Sequence, residues 1–515
     1  MRTAAALLAL IVAASGRSGP APDSGEAFHT FLPRVEATGD PCAAPAASAP
    51  GRVFWIDGSH PGARDDGAGT PDQPWATVAA VSRRGLQPDD TVIIRPGLYR
   101  GSLTPRESGL IITGCPGAEP VISGADSLVA RWRQVQGYWI AEGYRPFDRF
   151  GERYDANLVI LDGSPLRPVA DTAVLEPGTF TVFDDGFGQR RLAVMTGDSV
   201  APRVEVGTRD VLFSQQPNAA CRDHPSDRLG PRLRHLVFRH AANPAQTGAV
   251  CISGYGAEVE DLRVAATGGR GVEVWGSGHQ IRRVDSSDNG HLGMGGGCTG
   301  CLVEDVVASR NNWRGHDPFW EAGGGKWVRT SRTIFRRFRA RDNDGPGLWL
   351  DGDSPDNVIE EALLEGNRVS GLQLELGSDN NRVVRSRITG TRWDGWSASG
   401  ILIMAASGSI LEENEICGNL GSGLWLRTDS RKPTGGLSAR DNLFCDNAPE
   451  SEDKDYQVRI EIDAAEGAAP PEFHWEGNRI ETVREDHQAG IRAHRDAPVH
   501  HLTAGELARS LGRGR

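Results

Sequence analysis

The chain has 515 residues, with 56 Lys plus Arg against 68 Asp plus Glu, and its net charge of -12 argues against a nucleic-acid-binding surface. Hydrophobic residues make up 38%, enough for a core but fewer than usual, and the shortfall is taken by 65 glycines. Without a collagen period, that much Gly points to many tight turns rather than to disorder.

Met1 to Gly16 carries Arg2, then an apolar run from Ala4 to Ala14 that ends in small residues, the pattern of a secretory signal. The run is too short to span a bilayer and no later stretch is long enough, so the chain is expected to be exported, extracellular or periplasmic, with no membrane span. Arg17 to Pro50, rich in Ala, Pro and Ser, reads as a flexible lead-in. Asp90-Thr-Val-Ile-Ile-Arg-Pro-Gly-Leu-Tyr99 reads as strand and turn. Residues 126–232 show longer β-type pieces, Asn157-Leu-Val-Ile-Leu161 and Arg191-Leu-Ala-Val-Met195, with no coil period, and read as an inserted β-rich module.

From Val250 to Cys445 an Asn recurs four residues before a Gly: Asn289/Gly293, Asn343/Gly347, Asn367/Gly371 and Asn419/Gly423. After three of these glycines, and after Gly400, a short alternation follows, with Leu348/Leu350, Leu372/Leu374, Ile401/Ile403 and Leu424/Leu426 on one strand face. A coil of 22 to 24 residues with one Asn per turn is the pattern of a stacked solenoid. Of the eight cysteines, Cys417 and Cys445 stand about one coil apart and are expected to bridge neighbouring rungs. Cys298-x-x-Cys301 lacks two further zinc ligands and reads as a local disulfide or two buried thiols. Thr503-Ala-Gly-Glu506 before Leu507-Ala-Arg-Ser-Leu511 is a capping-box pattern for a short terminal helix over the last coil.

These Asn-and-Gly coils, together with Val53 to Ser59, Gly69-Thr-Pro-Asp-Gln-Pro-Trp75 and Asp90 to Tyr99, resemble right-handed parallel β-helix proteins of the pectate-lyase-like superfamily. The resemblance implies an all-β solenoid with first coils over 51–125, a main β-helix over 233–464 and a C-terminal cap over 465–515. It also implies carbohydrate chemistry, since its members include polysaccharide lyases, glycosidases and uronate epimerases. It leaves the reaction open, because one fold hosts many chemistries.

With the leucines inside the coil, Trp349 and Asp351, Gln373 and Glu375, Leu402 and Met404, and Trp425 and Arg427 point outward, in columns about 4.8 Å per rung. Lys326 is placed outward, level with Trp349, and Trp327 inward, because an inward Lys would bury an ammonium. Extra residues in Trp313 to Gly323 and Gly390 to Ser399 are expected to wall the outward face. They bring His316, Asp317, Trp320 and Glu321 on one side and Trp393, Asp394 and Trp396 on the other. Trp faces are stacking platforms for sugars.

Lys326 is one of only three lysines in an arginine-rich chain, with Lys432 and Lys454, which suits a group that must accept a proton. Asp351 and Glu375, on adjacent rungs, suit a shared cation or an acid and nucleophile pair. Asp351 and Asp353 are candidate calcium ligands, although the spacing is not that of an EF-hand and Asx turns compete. The six arginines Arg329, Arg332, Arg336, Arg337, Arg339 and Arg341 either receive anionic sugars or form a solvated sheet face. No G-x-S-x-G, H-E-x-x-H, P-loop or dinucleotide motif is present, so no organic cofactor is expected.

The expected partner is a polysaccharide or oligosaccharide lying across the coils from Trp275 to Arg427. Substrate contacts are assigned to Trp349, Gln373, Trp320, Glu321, His316, Trp393, Trp396, Trp425 and Arg427. The leading mechanism is polysaccharide lyase β-elimination from a uronate, with Lys326 as base and arginine or calcium on the carboxylate. A retaining glycoside hydrolase using Asp351 and Glu375, and a non-catalytic glycan-binding protein, are the alternatives.

Overall fold

One turn of the repeat is built from three short strands. Leu348–Asp351 is followed by Val358–Glu360 and Leu363–Glu365, and Ser370–Glu375 then opens the next turn directly above the first strand. The computed structural model describes residues 40–83, 85–144, 156–198, 200–224, 226–392, 398–427, 431–432, 434–449, 456–461, 473–482, 488–492 and 500–511. Stacked turns give three sheets of 11, 15 and 6 strands, in which nearly every pairing joins a strand in parallel to the matching strand of the next turn. Leu348, Leu372, Ile401 and Leu424 share one register column and are fully buried. The architecture is therefore a parallel β-helix.

Asparagine amides close the turns. At the corner before four successive turns of the 11-stranded sheet, Asn289 Nδ2 donates to Asn311 Oδ1 (3.1 Å), Asn311 to Asn343 (3.0 Å) and Asn343 to Asn367 (2.9 Å). Each Oδ1 also accepts the backbone N–H of the Asn below, as in Asn311 N to Asn343 Oδ1 at 2.9 Å. The ladder resumes from Asn419 to Asn447 (2.8 Å) and ends on Gln457 Oε1 (2.8 Å). Two further columns, Asn357 over Asn381 and Asn414 over Asn442 over Asn478, do the same at the other corners. The Gly of the N-x-x-x-G pattern follows from this packing, because a Cβ on Gly347 would stand 2.6 Å from the Asn367 amide nitrogen of the next turn.

Another corner takes the left-handed conformation rung after rung, at Asp261, Arg283, Asp305, Arg337, Glu361 and Arg385, with φ between 47° and 55°. Acid and base alternate up this column, and Arg283 pairs with Asp261 (2.8 Å) and Arg337 with Asp305 (2.7 Å).

The 15-stranded sheet runs from Val53–Ile56 through Thr91–Ile94 and Ile111–Thr113 directly to Arg232–Arg239, where Ile111 pairs with Arg232. Between these two adjacent rungs the chain leaves the helix. It forms a mostly antiparallel five-stranded sheet and an antiparallel four-stranded sheet around Phe180, Leu192, Val194 and Val206.

Cys42–Cys115, Cys221–Cys251, Cys298–Cys301 and Cys417–Cys445 are disulfides, and Cys417 and Cys445 are register partners on neighbouring rungs. Four disulfides suit an oxidising compartment. No helix among the described residues is long and apolar enough to cross a membrane. The expected signal at residues 1–16 lies outside the described residues. The helix Ala504–Leu511 is opened by a reciprocal capping box, with Thr503 N donating to Glu506 Oε2 (2.8 Å) and Glu506 N to Thr503 Oγ1 (3.2 Å), and it inserts Leu507 into the core.

Replacing Asn343 by Ala should remove four buried hydrogen bonds and strand the Asn311 N–H and the Ala308 carbonyl. Each such group costs about 1–3 kcal/mol, so a loss of about 2–6 kcal/mol is expected in urea unfolding. Asn218→Ala, at an exposed site with ordinary backbone angles, should lie within about 0.5 kcal/mol of the parent. Equal stabilities for the two variants would show that the ladder does not hold the coil together.

Candidate functional site

The outward face of the 11-stranded sheet carries two side-chain columns. Register gives Cys251, Glu273, Gly295, Lys326, Trp349, Gln373, Leu402, Trp425 and Arg459 in the first. In the second, Ser253, Trp275 and Gly297 are followed, after Val328, by Asp351, Glu375, Met404 and Arg427. An outer sheet face would ordinarily be open to water. Here Lys326, Trp349, Gln373, Glu375, Leu402, Met404 and Trp425 are all buried, so the face is roofed over.

Lys326 stands at the centre. Its Nζ donates to the Trp320 carbonyl (2.7 Å), lies 3.0 Å from Asp351 Oδ2 and sits 3.5 Å from the centre of the Trp349 ring. Three N–H groups meet a carbonyl, a carboxylate and a π face, so the ammonium is fully engaged. Trp327 points inward and packs edge-on against Phe335 (5.2 Å), and so does not desolvate Lys326 from outside.

Asp351 receives Lys326 on one oxygen and the Gly352 N–H on the other (2.7 Å). Glu375, one rung above, is held by Arg431 on Oε1 (2.6 Å) and by the Gln373 amide on Oε2 (2.8 Å). The two carboxylates thus share one column on adjacent rungs, about 4.8 Å per rung. Asp353 is exposed at a left-handed corner, and among the described residues no third acid or His joins Asp351 and Asp353 in a cation-sized cluster. The cation beside Asp351 is the Lys326 ammonium itself.

The Trp313–Gly323 loop crosses one end of the face. Trp313 packs against Leu158 and Ile160 of the inserted segment, and Arg314 donates to the Asn157 carbonyl (3.0 Å). Glu321 pairs with Arg270 and accepts from Gln246 Nε2 (2.7 Å). His316, expected in the wall, instead lies beneath it, half-buried and edge-on against the fully buried His291 with ring centres 5.0 Å apart. The Asn312 side chain bonds both the backbone N–H and the carbonyl of His316, and this turns the imidazole inward. Trp320 remains 41% exposed. At the far end Trp425 is covered by Arg459 (4.0 Å) and Arg427 (5.9 Å), and Arg427 also reaches the Met404 sulfur (3.7 Å). Trp393 and Trp396 lie outside the described residues.

The arginine block is taken up locally. Arg336 meets Glu360 and Glu304, Arg337 meets Asp305 and Glu304, and Arg341 meets Glu365, all on neighbouring rungs. Arg329 stacks on Trp275 at 5.5 Å.

A family profile described as "Right handed beta helix region" matches residues 247–398. The fold is the right-handed parallel β-helix. A solved structure of XylC in complex with xylose is similar over 86% of this chain and 86% of that chain, at 14% identity and a TM-score of 0.64. The A-module of the Azotobacter vinelandii mannuronan C-5 epimerase AlgE4 is similar over 86% of this chain and 99% of its own, at 14% identity and a TM-score of 0.50. No curated protein matches the chain in sequence.

Sequence reasoning missed four groups around this β-helix face: Glu273, Arg270, His291 and Arg431. Glu273 accepts from the Trp275 indole (2.7 Å) and the Gly248 N–H (2.9 Å), and lies 3.7 Å from Arg270. The rung pattern that marked Lys326 and Asp351 also contains Arg270-Gly-Val-Glu-Val-Trp275, so Glu273 was legible as an outward residue. Arg431 was not, because it comes from a connection with no repeat.

Burial lowers the pKa of His316 to about 4 and holds His291 well below its ordinary value, with His316, Arg270 and Lys326 adding repulsion at His291. An unfolded chain therefore binds protons near pH 6.5 that the folded one refuses until about pH 4, and stability falls as pH drops through that window. The slope is up to about 1.4 kcal/mol per pH unit for each such His. His316→Gln should flatten the fall between pH 6.5 and 4, measured as unfolding free energy against pH. An unchanged slope would contradict the burial of a neutral His316.

Proposed function

We propose that the chain is a carbohydrate-active enzyme, and specifically a glycoside hydrolase that works on chain ends or short oligosaccharides, with Asp351 as nucleophile and Glu375 as acid and base. The observation that carries this reading is the engagement of Lys326. With its ammonium spent on Asp351, Trp320 and Trp349, the face offers Asp351 and Glu375 beside it for the chemistry, and their one-rung separation suits the roughly 5 Å spacing of a retaining pair.

Asp351, oriented by Lys326 and the Gly352 N–H, attacks the anomeric carbon. Glu375, the more buried of the two, takes up a proton from solvent as the sugar displaces Arg431 and passes it to the departing glycosidic oxygen. A water that then loses its proton to Glu375 breaks the glycosyl ester and restores both groups. Trp349 Nε1 is buried with no acceptor among the described residues, and a sugar hydroxyl would supply one. The structural likeness to a protein that binds xylose supports a sugar ligand. The roofed face favours a chain end over the middle of a polymer. Elimination by Lys326 is the second reading, and it would require Nζ to leave the Trp320 carbonyl, Asp351 and the Trp349 ring to reach a substrate proton.

Incubation with a panel of oligosaccharides and aryl glycosides should release reducing ends with no gain in unsaturated-product absorbance. Asp351→Asn and Glu375→Gln should each lower turnover by about 100-fold or more, while Lys326→Arg stays within about tenfold. Unsaturated products, or a loss confined to Lys326→Arg, would overturn hydrolysis in favour of elimination. Binding without turnover on any substrate would overturn both.

A further inference from the structure

At the N-terminal end of the same sheet face lies a cluster that the proposed chemistry does not use. Cys221 sits in a 3-10 turn, Cys221–Asp223, three residues before His224, and Cys251 projects outward from the strand Gly248–Tyr255 one rung before Glu273. The two sulfurs are joined in a disulfide. Their atoms and the His224 ring nitrogen all lie within 4.8 Å of one another, and this is the one such group of three among the described residues.

The histidine is oriented as a ligand would be. Its Nε2 faces the Gln216 carbonyl at 3.1 Å and the Ala219 carbonyl at 3.4 Å, which accept but cannot donate, so Nε2 carries the proton. Nδ1 then presents its lone pair to Ser253 Oγ at 2.7 Å and to Cys251 Sγ at 3.6 Å. A carbonyl on one imidazole nitrogen that leaves the other an acceptor, here of the Ser253 hydroxyl, is the supporting arrangement of metal-bound histidines.

We propose that Cys221, Cys251 and His224 form a redox-gated site for a tetrahedral, thiophilic divalent cation of the zinc class, with Ser253 Oγ or a water as the fourth ligand. Zinc bonds of about 2.3 Å to sulfur and 2.0–2.1 Å to nitrogen, at a tetrahedral angle, put N and S about 3.6 Å apart. The His224 to Cys251 distance already has that value. A dithiol reductant gives two electrons and two protons to the disulfide and is itself oxidised to a disulfide. The cation then displaces the two thiol protons and binds two thiolates and a neutral imidazole. In the oxidised state the sulfur–sulfur bond occupies the site and the cation is excluded. Both sulfurs are buried while His224 is half-buried, so entry is from the histidine side.

The test is cobalt(II) titration of the full chain, before and after treatment with a dithiol reductant under nitrogen. The reduced protein should take up one cobalt per chain, with thiolate charge-transfer bands and tetrahedral d–d bands that zinc abolishes, and the oxidised protein should show neither. His224→Ala should weaken cobalt binding at least about tenfold. Cys221→Ser should remove the two-thiolate spectrum, whereas the paired change Cys417→Ser with Cys445→Ser should leave it intact. Absence of the bands in the reduced parent, bands that survive both His224→Ala and Cys221→Ser, or a reduced chain whose circular dichroism shows it unfolded and unable to bind, would each overturn the proposal.

Discussion

A coiled chain must satisfy the backbone groups at its corners without water, and the asparagine ladder does this. Each amide accepts the N–H of the rung below and donates to the next asparagine, so a corner that would otherwise strand polar groups in the core becomes a continuous hydrogen-bonded column. The glycine four residues on is there because the next asparagine needs its volume. Once the corner is fixed, strand register follows, and register decides which side chains share the outward columns. Lys326, Trp349 and Gln373 stand in line because Asn311, Asn343 and Asn367 do.

What could be read from the chain follows from this. The repeat turns spacing into position, so the inward leucines, the outward Asp351 and Glu375, the Cys417–Cys445 bridge and the placement of Lys326 above Trp349 were all legible. Contacts made by the connections were not. Trp320 reaches Lys326 with a backbone carbonyl, which no side-chain pattern encodes, and Arg431 comes to Glu375 from 56 residues away through a segment with no period. His316 looked like a wall residue because its loop is polar and aromatic, yet the Asn312 side chain turns it under the loop against His291. Cys221-x-x-His224 was passed over because its third member lies 27 residues beyond His224, on a strand.

The roof over the sheet changes the chemistry that the face suits. An open groove would leave Lys326 solvated and able to move. Under the Trp313–Gly323 loop it becomes a fixed cation that orients Asp351 and ties the loop to the sheet. The loop is anchored again by Arg270 to Glu321 and by Trp313 and Arg314 against the inserted segment, so insertion, loop and solenoid meet at the site. A lysine in this setting organises a carboxylate. In the hydrolysis proposed for this face that is a positioning role, and it differs from the base that elimination requires.

The central claim is that two carboxylates one rung apart act on a sugar by double displacement. Proton NMR of the first product formed from an accepted glycoside, recorded before mutarotation, tests it most directly. The account predicts that the anomeric configuration of the substrate is retained, while an inverted product or a double bond in the new sugar end would contradict it.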